Sequence, residues 1–270
     1  LNISFFLNQG KKALIEEEPR RAIPYLNRII GMNQEHYEAY FLRGIARYQL
    51  GDYFGAREDF DHVLQLNPYF TDAYHYRGIV KSRRHNYYGA LKDFEEALSI
   101  SPFRPLIMIN KGIVQLSIGH HATAIATFNQ ALKLEADNAD AYLYRGRAMQ
   151  QLGHADSALA DYETAIRKNP FSYQAFLFRG GLYQKQESYI KALKDFRRAI
   201  QINENQPEAW FKRGRVKALL EDYQGAVADF TRVIERAPKS AVAYYNRALA
   251  YSEMEQYEKA LSDYNQVLTF

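Results

Sequence analysis

Apolar residues recur at three- and four-residue spacing along nearly the whole chain, which is the period of an amphipathic α-helix. In residues 37–70, Tyr40 and Tyr48 lie on one face of a first helical segment, and Ala56 and Phe60 continue the same pattern in a second segment. A short polar turn separates the two segments. The pattern therefore predicts a helix–turn–helix unit.

The turns and helix ends carry recognisable signals. The predicted turn contains glycine at Gly51, Gly119 and Gly153, and a glycine there can close the first helix in a left-handed cap. Proline prevents the next turn of a helix from forming, which places the end of the second helix just before it. These ends are predicted at Asn67-Pro68, Ser101-Pro102, Asn169-Pro170 and Ala237-Pro238.

The helix–turn–helix unit repeats along the chain with a period of 34 residues, without insertion or deletion. Numbering each unit from 1 to 34 gives eight repeats, the last of which stops at its thirtieth position. They begin at residues 3, 37, 71, 105, 139, 173, 207 and 241.

Small residues occupy two fixed positions of the repeat. Position 8 is glycine in seven repeats and Ala248 in the eighth, while position 20 is alanine in all eight. Glycine inside a helix costs about 1 kcal/mol relative to alanine, so its recurrence needs a packing reason. We predict that positions 8 and 20 let the two helices of a hairpin approach almost backbone to backbone. Large aromatic residues, frequent at positions 4 and 24, would then fill the flanking space.

These positions together resemble the tetratricopeptide repeat (TPR) family over residues 3–270. The resemblance implies an all-α fold, a right-handed superhelix of about eight helical hairpins whose first helices line a concave groove. Ala136 and Glu204 depart from it, since each replaces a proline expected near position 32. Repeat 1 is also atypical because Pro19 and Pro24 lie in its second helix; we expect Pro19 to fit the first helical turn and Pro24 to bend the helix.

A charged pair accompanies the repeat. Position 7 is basic in seven repeats and position 23 is acidic in six, and the two drift together where repeat 4 has Lys111 with Thr127. We interpret them as structural ion pairs between helices, because a planar guanidinium donates two parallel hydrogen bonds to a carboxylate. The pairs are Arg43/Asp59, Arg77/Asp93, Arg145/Asp161, Arg179/Asp195, Arg213/Asp229 and Arg247/Asp263.

The resemblance places positions 2, 5, 6, 9, 12 and 13 of the first helices on the concave side. Aromatic residues with arginine are typical of the residues that dominate binding at protein interfaces. The alternative interpretation is that the residues at position 5 pack partly between neighbouring repeats and do not contact a ligand. The candidate peptide-binding residues are Phe41, His75, Tyr76, Leu143, Tyr144, Arg147, Phe178, Phe211, Lys212, Arg215 and Tyr245.

The same positions argue against one class of partner. TPR domains that hold acidic chaperone tails use a clamp of lysine and asparagine on successive first helices. Position 5 lacks that lysine here, and Asn8, Asn110 and Asn246 stand alone at position 6. A chaperone-tail cochaperone is therefore disfavoured.

Charge singles out repeats 6 and 7, although the whole chain has a net charge of only +4 from 35 basic and 31 acidic residues. Most of these charges are explained by helix faces that contact water. The alternative interpretation is an electropositive surface that favours an acidic partner. Nucleic-acid binding is disfavoured because the charge is small and dispersed. The basic residues are Lys185, Lys191, Lys194, Arg197, Arg198, Lys212, Arg215 and Lys217.

Several other classes of function find no support in the residues. The chain has no cysteine, which excludes disulfides and thiolate chemistry; this favours an extracytoplasmic setting, although chance composition accounts for it equally well. No apolar run is long enough for a membrane-spanning helix. Glycine-rich phosphate loops and nucleophile elbows are missing from the sequence. We predict no enzymatic activity, no cofactor and no metal site.

The ends of the chain lead to two further expectations. The sequence starts at Leu1 rather than methionine, so we expect residues 1–270, a single TPR solenoid, to be part of a longer chain. The last repeat lacks a polar capping helix, so Leu261, Tyr264 and Leu268 would present an apolar face to a continuing chain or to another copy. We predict a scaffold that binds a peptide or protein segment in its concave groove. The alternative is a sensory or regulatory TPR portion that contacts an effector domain of the same protein.

Overall fold

The structure, a computed structural model, describes residues 2–270, and within them sixteen α-helices follow one another without a strand. The predicted fold class, an all-α solenoid of eight helical hairpins, is confirmed. None of these helices has the length and apolar character that crossing a bilayer requires. The chain forms two compact units of four hairpins each, Leu1–Ala136 and Asp137–Phe270.

The first unit contains helices α1 to α8, and each hairpin packs against the next one within the unit. Their bounds are α1 Ile3–Ile15, α2 Pro19–Met32, α3 Tyr37–Gln49, α4 Tyr53–Leu66, α5 Thr71–Arg83, α6 Tyr87–Ile100, α7 Pro105–Ser117 and α8 His121–Leu134.

The second unit contains helices α9 to α16 and shows the same pairing and stacking. Their bounds are α9 Ala139–Gln151, α10 Ala155–Lys168, α11 Tyr173–Lys185, α12 Tyr189–Ile202, α13 Pro207–Leu219, α14 Tyr223–Arg236, α15 Ala241–Glu253 and α16 Tyr257–Val267.

Helix boundaries follow the 34-residue period. Every first helix begins at position 1 of its repeat, and every second helix begins at position 17. Side-chain caps explain several of these starts; for example, Asp52 accepts a hydrogen bond from the backbone N–H of Gly55. In repeat 1, α2 begins at Pro19 and continues through Pro24 to Met32.

Position 15 of each repeat ends the first helix in a left-handed conformation. Gly51, Gly119 and Gly153 have φ angles of +80°, +82° and +84°, as the turn signals predicted. Five repeats place a side chain in the same conformation, which the sequence pattern did not reveal. A left-handed residue other than glycine costs roughly 1–2 kcal/mol. These residues are Glu17, His85, Glu187, Glu221 and Glu255.

The predicted reason for glycine at position 8 is corrected by the structure. An added Cβ at Gly44 would lie 2.6 Å from Cε1 of Phe60, the aromatic residue at position 24 of the same hairpin. The same ring contact recurs at Gly78, whose Cβ would lie 2.6 Å from Phe94. The close approach is therefore of helix backbone to the flat ring, rather than of glycine to the alanine at position 20.

Position 24 forms the centre of each hairpin core. Phe60, Phe94, Phe196 and Phe230 are buried, and the alanines at position 20 are buried beside them. Fully burying such a side chain stabilises the fold by about 1.5–3 kcal/mol. This repeated core holds the first helices in position and leaves their outer side chains free to differ.

Candidate functional site

Ion pairs join the two helices of six hairpins. In each pair, Nε and Nη2 of the arginine at position 7 donate to the two carboxylate oxygens of the aspartate at position 23, at 2.7–3.0 Å. Both partners belong to the same repeat. The bidentate geometry compensates the lost hydration of the carboxylates. All six are buried: Asp59, Asp93, Asp161, Asp195, Asp229 and Asp263.

A second cation, at position 11, reaches the same aspartate in three repeats. Arg47 Nη1 lies 3.0 Å from Asp59 Oδ2, and Lys81 Nζ lies 2.8 Å from Asp93 Oδ2. Lys217 makes the equivalent contact in repeat 7. The sequence analysis missed this position, although its basic residues recur at the same register as the pairs.

The other three aspartates lack this second cation because position 11 is not basic in their repeats: it is Met149, Tyr183 and Tyr251 in repeats 5, 6 and 8. Their carboxylates are only 2–6% exposed, so none offers a surface to a ligand; these are Asp161, Asp195 and Asp263. The six pairs have the repeating geometry that the sequence interpretation expected, and the structure adds that the repeats differ in the number of cations around the carboxylate.

Repeat 4 replaces the charged pair with a neutral one. The hydroxyl of Thr127 donates to Oε1 of Gln115 at 2.7 Å, and both side chains are buried. Lys111 forms an ion pair with Glu95 instead. The joint substitution therefore keeps the buried polar groups satisfied at this level of the stack.

Aromatic residues at position 4 support the same arginines. The guanidinium carbon of Arg43 lies 5.3 Å from the ring centre of Tyr40, and that of Arg213 lies 4.9 Å from Trp210. Such cation–π contacts are worth about 0.5–2 kcal/mol. Position 4 thus orients the ion pair in addition to filling space.

Two of the candidate groove residues contribute to the core instead. His75 and Leu143 are each only 3% exposed, which leaves almost no surface for a ligand. Their position was predicted to face the groove, and the structure corrects this, because a neighbouring hairpin covers it in the stack. Nδ2 of Asn110 donates to Nε2 of His75 at 2.8 Å, which joins repeats 3 and 4.

The environment of His75 favours its neutral form. Burial lowers the pKa of His75 to about 4; the nearby Asp72 carboxylate opposes this shift, and Arg104 reinforces it. Asp72 and Arg104 themselves form an ion pair at 2.7 Å. A neutral, hydrogen-bonded imidazole at this place is a packing element.

Aromatic residues of unit 1 pack on one another. The ring centre of Phe41 lies 4.9 Å from Phe70, 5.7 Å from Tyr76 and 5.9 Å from Phe60. Burial raises the pKa of the Tyr76 hydroxyl. Phe41 and Tyr76, both groove candidates, are therefore half-buried members of an aromatic cluster.

Unit 2 contains a groove of about 440 Å³ on its first helices. Every residue that lines it belongs to α9, α11 or α13, which are the first helices of repeats 5, 6 and 7. Four of the candidate residues meet there: Arg147, Phe178, Lys212 and Arg215. Further lining residues include Gln151, Leu177, Gly181, Lys185, Glu208 and Leu219.

The groove combines an aromatic surface with uncompensated positive charge. The guanidinium of Arg147 lies 4.2 Å from the ring centre of the half-buried Phe178. Lys212 lies 3.6 Å from Glu208, which is the single carboxylate that lines the groove. Within the described residues, Arg215 and Lys185 have no acidic partner and are exposed. Four cations thus face one carboxylate.

Glycine opens the middle of this groove. Position 9 carries Arg147, Gly181 and Arg215 in three successive repeats. An added Cβ at Gly181 would meet no atom within 4 Å, so no packing contact requires glycine there. This mid-helix glycine costs stability and leaves space between two arginines. Nothing in the repeat pattern distinguishes Gly181 from an ordinary surface position of its helix.

The remaining candidates lie outside the lining of the groove. Tyr144 is half-buried against the core around Leu143, and the ring of Phe211 lies 5.7 Å from Phe230. Tyr245 is 48% exposed, with its ring centre 6.0 Å from Tyr264.

The histidines of the turns remain isolated from other metal-binding groups. Among residues 2–270, no group of three or more histidine, aspartate or glutamate side chains is placed to hold a metal ion. Nδ1 of His85 instead lies 2.9 Å from the hydroxyl of Tyr87 in the same turn.

Solved structures similar to this chain are repeat proteins. YrrB, described as a TPR protein with an unusual peptide-binding site, is 28% identical over 65% of this chain and 91% of its own length, with a TM-score of 0.54. A TPR protein from Parabacteroides merdae is 15% identical over 92% of this chain and 98% of that chain, with a TM-score of 0.75. A chain of the APC/C hetero-tetramer Cut9–Hcn1 is 15% identical and covers 98% of this chain and 52% of that one, with a TM-score of 0.72.

Family models give the most direct assignment. A comparison with curated proteins finds no match. Models described as tetratricopeptide repeat or TPR repeat match residues 37–70, 116–153, 145–209, 180–244 and 241–270. Two of these matches, 37–70 and 241–270, begin at the start of a helical hairpin of the structure. The chain belongs to the tetratricopeptide repeat family.

Proposed function

We propose that this protein-interaction scaffold binds a segment of another protein in the groove formed by α9, α11 and α13. One observation carries the proposal: Arg147, Phe178, Lys212 and Arg215, singled out from the sequence, line a single groove with no contribution from second helices. Aromatic and arginine side chains of this kind supply much of the binding energy at protein interfaces.

The groove favours a segment that carries both acidic and apolar side chains. Its cations outnumber its carboxylates by three, which attracts negative charge. Phe178 offers apolar surface beside Arg147 and Gly181. An acidic group between Arg147 and Arg215, with an apolar side chain on Phe178, would satisfy both features.

The similarity to YrrB supports a peptide as the ligand, since that protein is described as having a peptide-binding site. In this mode of binding the TPR hairpins provide the surface, and the peptide adopts a conformation that fits it. Such binding requires no bond making or breaking, and we propose a role without enzymatic activity.

The decisive experiment fills the groove at Gly181. Selection from a random peptide library should enrich acidic sequences with an apolar residue on the wild type and on Gly181→Ala. Gly181→Trp should bind the enriched peptides at least tenfold more weakly, about 1.4 kcal/mol, because the indole occupies the space between the arginines. Fluorescence anisotropy with one labelled enriched peptide measures the difference. Equal binding by Gly181→Trp would refute the groove.

Two variants with the same change of charge distinguish binding in the groove from non-specific electrostatic attraction. Arg215→Glu and Lys239→Glu make the same change of charge, and both side chains are exposed in unit 2, but only Arg215 lines the groove. The first variant should lose binding at least tenfold, and the second should change it less than threefold. Similar losses in both would indicate non-specific electrostatics.

We further propose that the last helix mediates self-association. Leu261 on α16 is 60% exposed, and Leu268, directly after the end of this helix, is 84% exposed. Sedimentation velocity over a range of concentrations should show association that Leu261→Glu abolishes and Asn265→Glu, an exposed control on the same helix, retains. A monomer at every concentration would contradict this proposal. The alternative role as a regulatory portion, contacting an effector domain of the same protein, stays a prediction.

A further inference from the structure

A third nitrogen of the ion-pair arginines reaches back to the preceding repeat. Nη1 of Arg43 donates to Oδ1 of Asn27 at 2.7 Å, and Nη1 of Arg77 donates to Oδ1 of Asp61 at 2.8 Å. The acceptor in both cases is position 25 of the previous repeat, sixteen residues earlier. Position 7 thus has a built-in acceptor in the neighbouring hairpin.

The same contact recurs with other side chains. Lys111 pairs with Glu95 at 3.2 Å, and Nη1 of Arg247 donates to the hydroxyl of Thr231 at 3.0 Å. The acceptor varies between amide, carboxylate and hydroxyl, but in each of these contacts it is a side-chain oxygen. Position 25 therefore supplies a side-chain oxygen that accepts a hydrogen bond from the arginine or lysine of the next repeat.

Repeat 6 breaks this rule. Its position 25 is Arg197, sixteen residues before Arg213, so a second cation stands where these repeats supply an oxygen. Nε and Nη2 of Arg213 donate to Asp229, whereas Nη1 has no acceptor among the described residues. Arg197 likewise has no hydrogen-bond partner or ion pair in residues 2–270. Two guanidinium groups thus lack the oxygen that this register supplies elsewhere.

Further cations surround Arg197. A surface depression of about 300 Å³ is lined by Lys194, Arg197 and Arg198, together with Phe176 and Gln201. Asp195, the carboxylate in its lining, is only 2% exposed and already accepts both hydrogen bonds of Arg179. The positive charge of this surface is consequently not neutralised from within the site.

We propose that Arg197 and Arg213 bind an oxyanion of the phosphate class, with Lys194 and Arg198 contributing charge. Its oxygen would replace the missing acceptor at position 25 and satisfy both guanidinium groups. A phosphate suits several converging cations because it carries up to two negative charges and three acceptor oxygens, and arginine can bind it through two parallel hydrogen bonds. Inorganic phosphate and a phosphorylated side chain share this chemistry.

This site is separate from the peptide groove. The residues that line the groove on α9, α11 and α13 are all different from those that line the depression on α11 and α12, and Arg213 lines neither. Phosphate binding can therefore succeed or fail independently of peptide binding.

The test compares Arg197→Asn with Lys191→Asn. Both remove one positive charge from α12, but Arg197→Asn would also restore the kind of acceptor that Asn27 provides to Arg43, whereas Lys191 lies over Tyr183. We expect inorganic phosphate to bind the wild type and Lys191→Asn in calorimetric titrations at constant ionic strength, and Arg197→Asn to bind at least tenfold more weakly. A phosphoserine peptide and its unphosphorylated form distinguish a modified protein from the free ion as the source.

Thermal unfolding without phosphate provides a second readout. Arg197→Asn should raise Tm because it removes a positive charge from position 25 and supplies the acceptor, and Arg197→Thr, which introduces the residue type of Thr231, should act in the same direction. Phosphate should raise Tm of the wild type but not of either variant. Equal phosphate shifts in wild type and Arg197→Asn, or equal weakening by Lys191→Asn, would overturn the proposal.

Discussion

The two units share one scaffold and differ in what their first helices present. In repeats 2 to 4 of unit 1, position 9 carries Ile45, Ile79 and Ile113, whereas unit 2 has Arg147 and Arg215 among its position 9 residues. Most repeats of both units share the glycine, aromatic and aspartate positions between the helices. Unit 1 closes its first-helix face with aromatic packing, and unit 2 opens a charged groove.

This difference separates the residues that form a hairpin from those that give it a ligand. Positions 7, 8, 20, 23 and 24 form the contacts inside the hairpin, such as Arg43 with Asp59. Positions 6, 9 and 13 include residues that line the groove of unit 2, such as Phe178, Arg147 and Lys185. The binding properties of each unit therefore depend on a few side chains of its first helices.

The largest expected effect comes from breaking the ion pairs, which differ between repeat 2 of unit 1 and repeat 6 of unit 2. Asp59 accepts hydrogen bonds from Arg43 and Arg47, whereas among residues 2–270 Asp195 accepts them from Arg179 alone. Asp59→Ala should lower the free energy of unfolding by about 3–5 kcal/mol, because it leaves two partly buried cations unpaired. Asp195→Ala should cost less, about 2–3 kcal/mol.

Urea denaturation followed by circular dichroism measures both losses. Asp137→Ala is the control, since its carboxylate is 81% exposed and surface changes of this kind alter stability by less than about 0.5 kcal/mol. If Asp195→Ala proved as costly as Asp59→Ala, the second cation at position 11 would contribute nothing to the pair.

The sequence was sufficient to predict the fold and its register. Each hairpin depends on contacts within its own 34 residues, such as Gly44 against Phe60 or Arg43 with Asp59, so a short repeated pattern specifies it completely. Helix starts could be predicted to the residue because the turn and cap signals recur at the same positions.

The candidate site could be predicted only in part. Burial at position 5 depends on the next hairpin, which a pattern within one repeat does not show; His75 is buried for this reason, whereas Phe178 at position 6 lines the groove of unit 2. The side-chain oxygens at position 25 accept hydrogen bonds from the next repeat, so the pattern within one repeat does not reveal them. The role of Gly181 depends on empty space, which a sequence does not display.

A buried histidine gives unit 1 a dependence on pH that unit 2 lacks at the same position, where Leu143 and Leu177 occur. Because the folded pKa of His75 is about 4 and the unfolded value is 6.5, the unfolded chain binds a proton first as the pH falls. This contribution is fully present above pH 6.5 and is lost between pH 6.5 and 4, by about 3 kcal/mol.

Denaturation midpoints between about pH 7 and pH 4 test this dependence. His75→Leu, which introduces the residue found in repeats 5 and 6, should reduce the slope in that range. A slope identical to that of the wild type would show that other groups, the buried aspartates in particular, dominate the acid sensitivity.

The smallest expected effect distinguishes a glycine of the scaffold from a glycine of the groove, in two adjacent residues of α11. Gly181→Ala should raise the free energy of unfolding by about 0.5–1 kcal/mol, because alanine is the better helix former and its Cβ meets no atom within 4 Å. Gly180→Ala gains the same helix propensity, but its Cβ would lie 2.8 Å from Cε1 of Phe196, and overpacking a core costs about 1–3 kcal/mol.

The difference between these two variants is more informative than either value alone. Both lie in the middle of one helix and replace the same residue, so propensity and unfolded-state effects largely cancel in the comparison. Ala248 occupies position 8 naturally in repeat 8, which shows that alanine is tolerated where the aromatic residue at position 24 is less buried, as Tyr264 is. Equal stabilisation by Gly180→Ala and Gly181→Ala would mean that the Phe196 ring moves aside without cost. Contact with this ring would then not explain why position 8 is glycine.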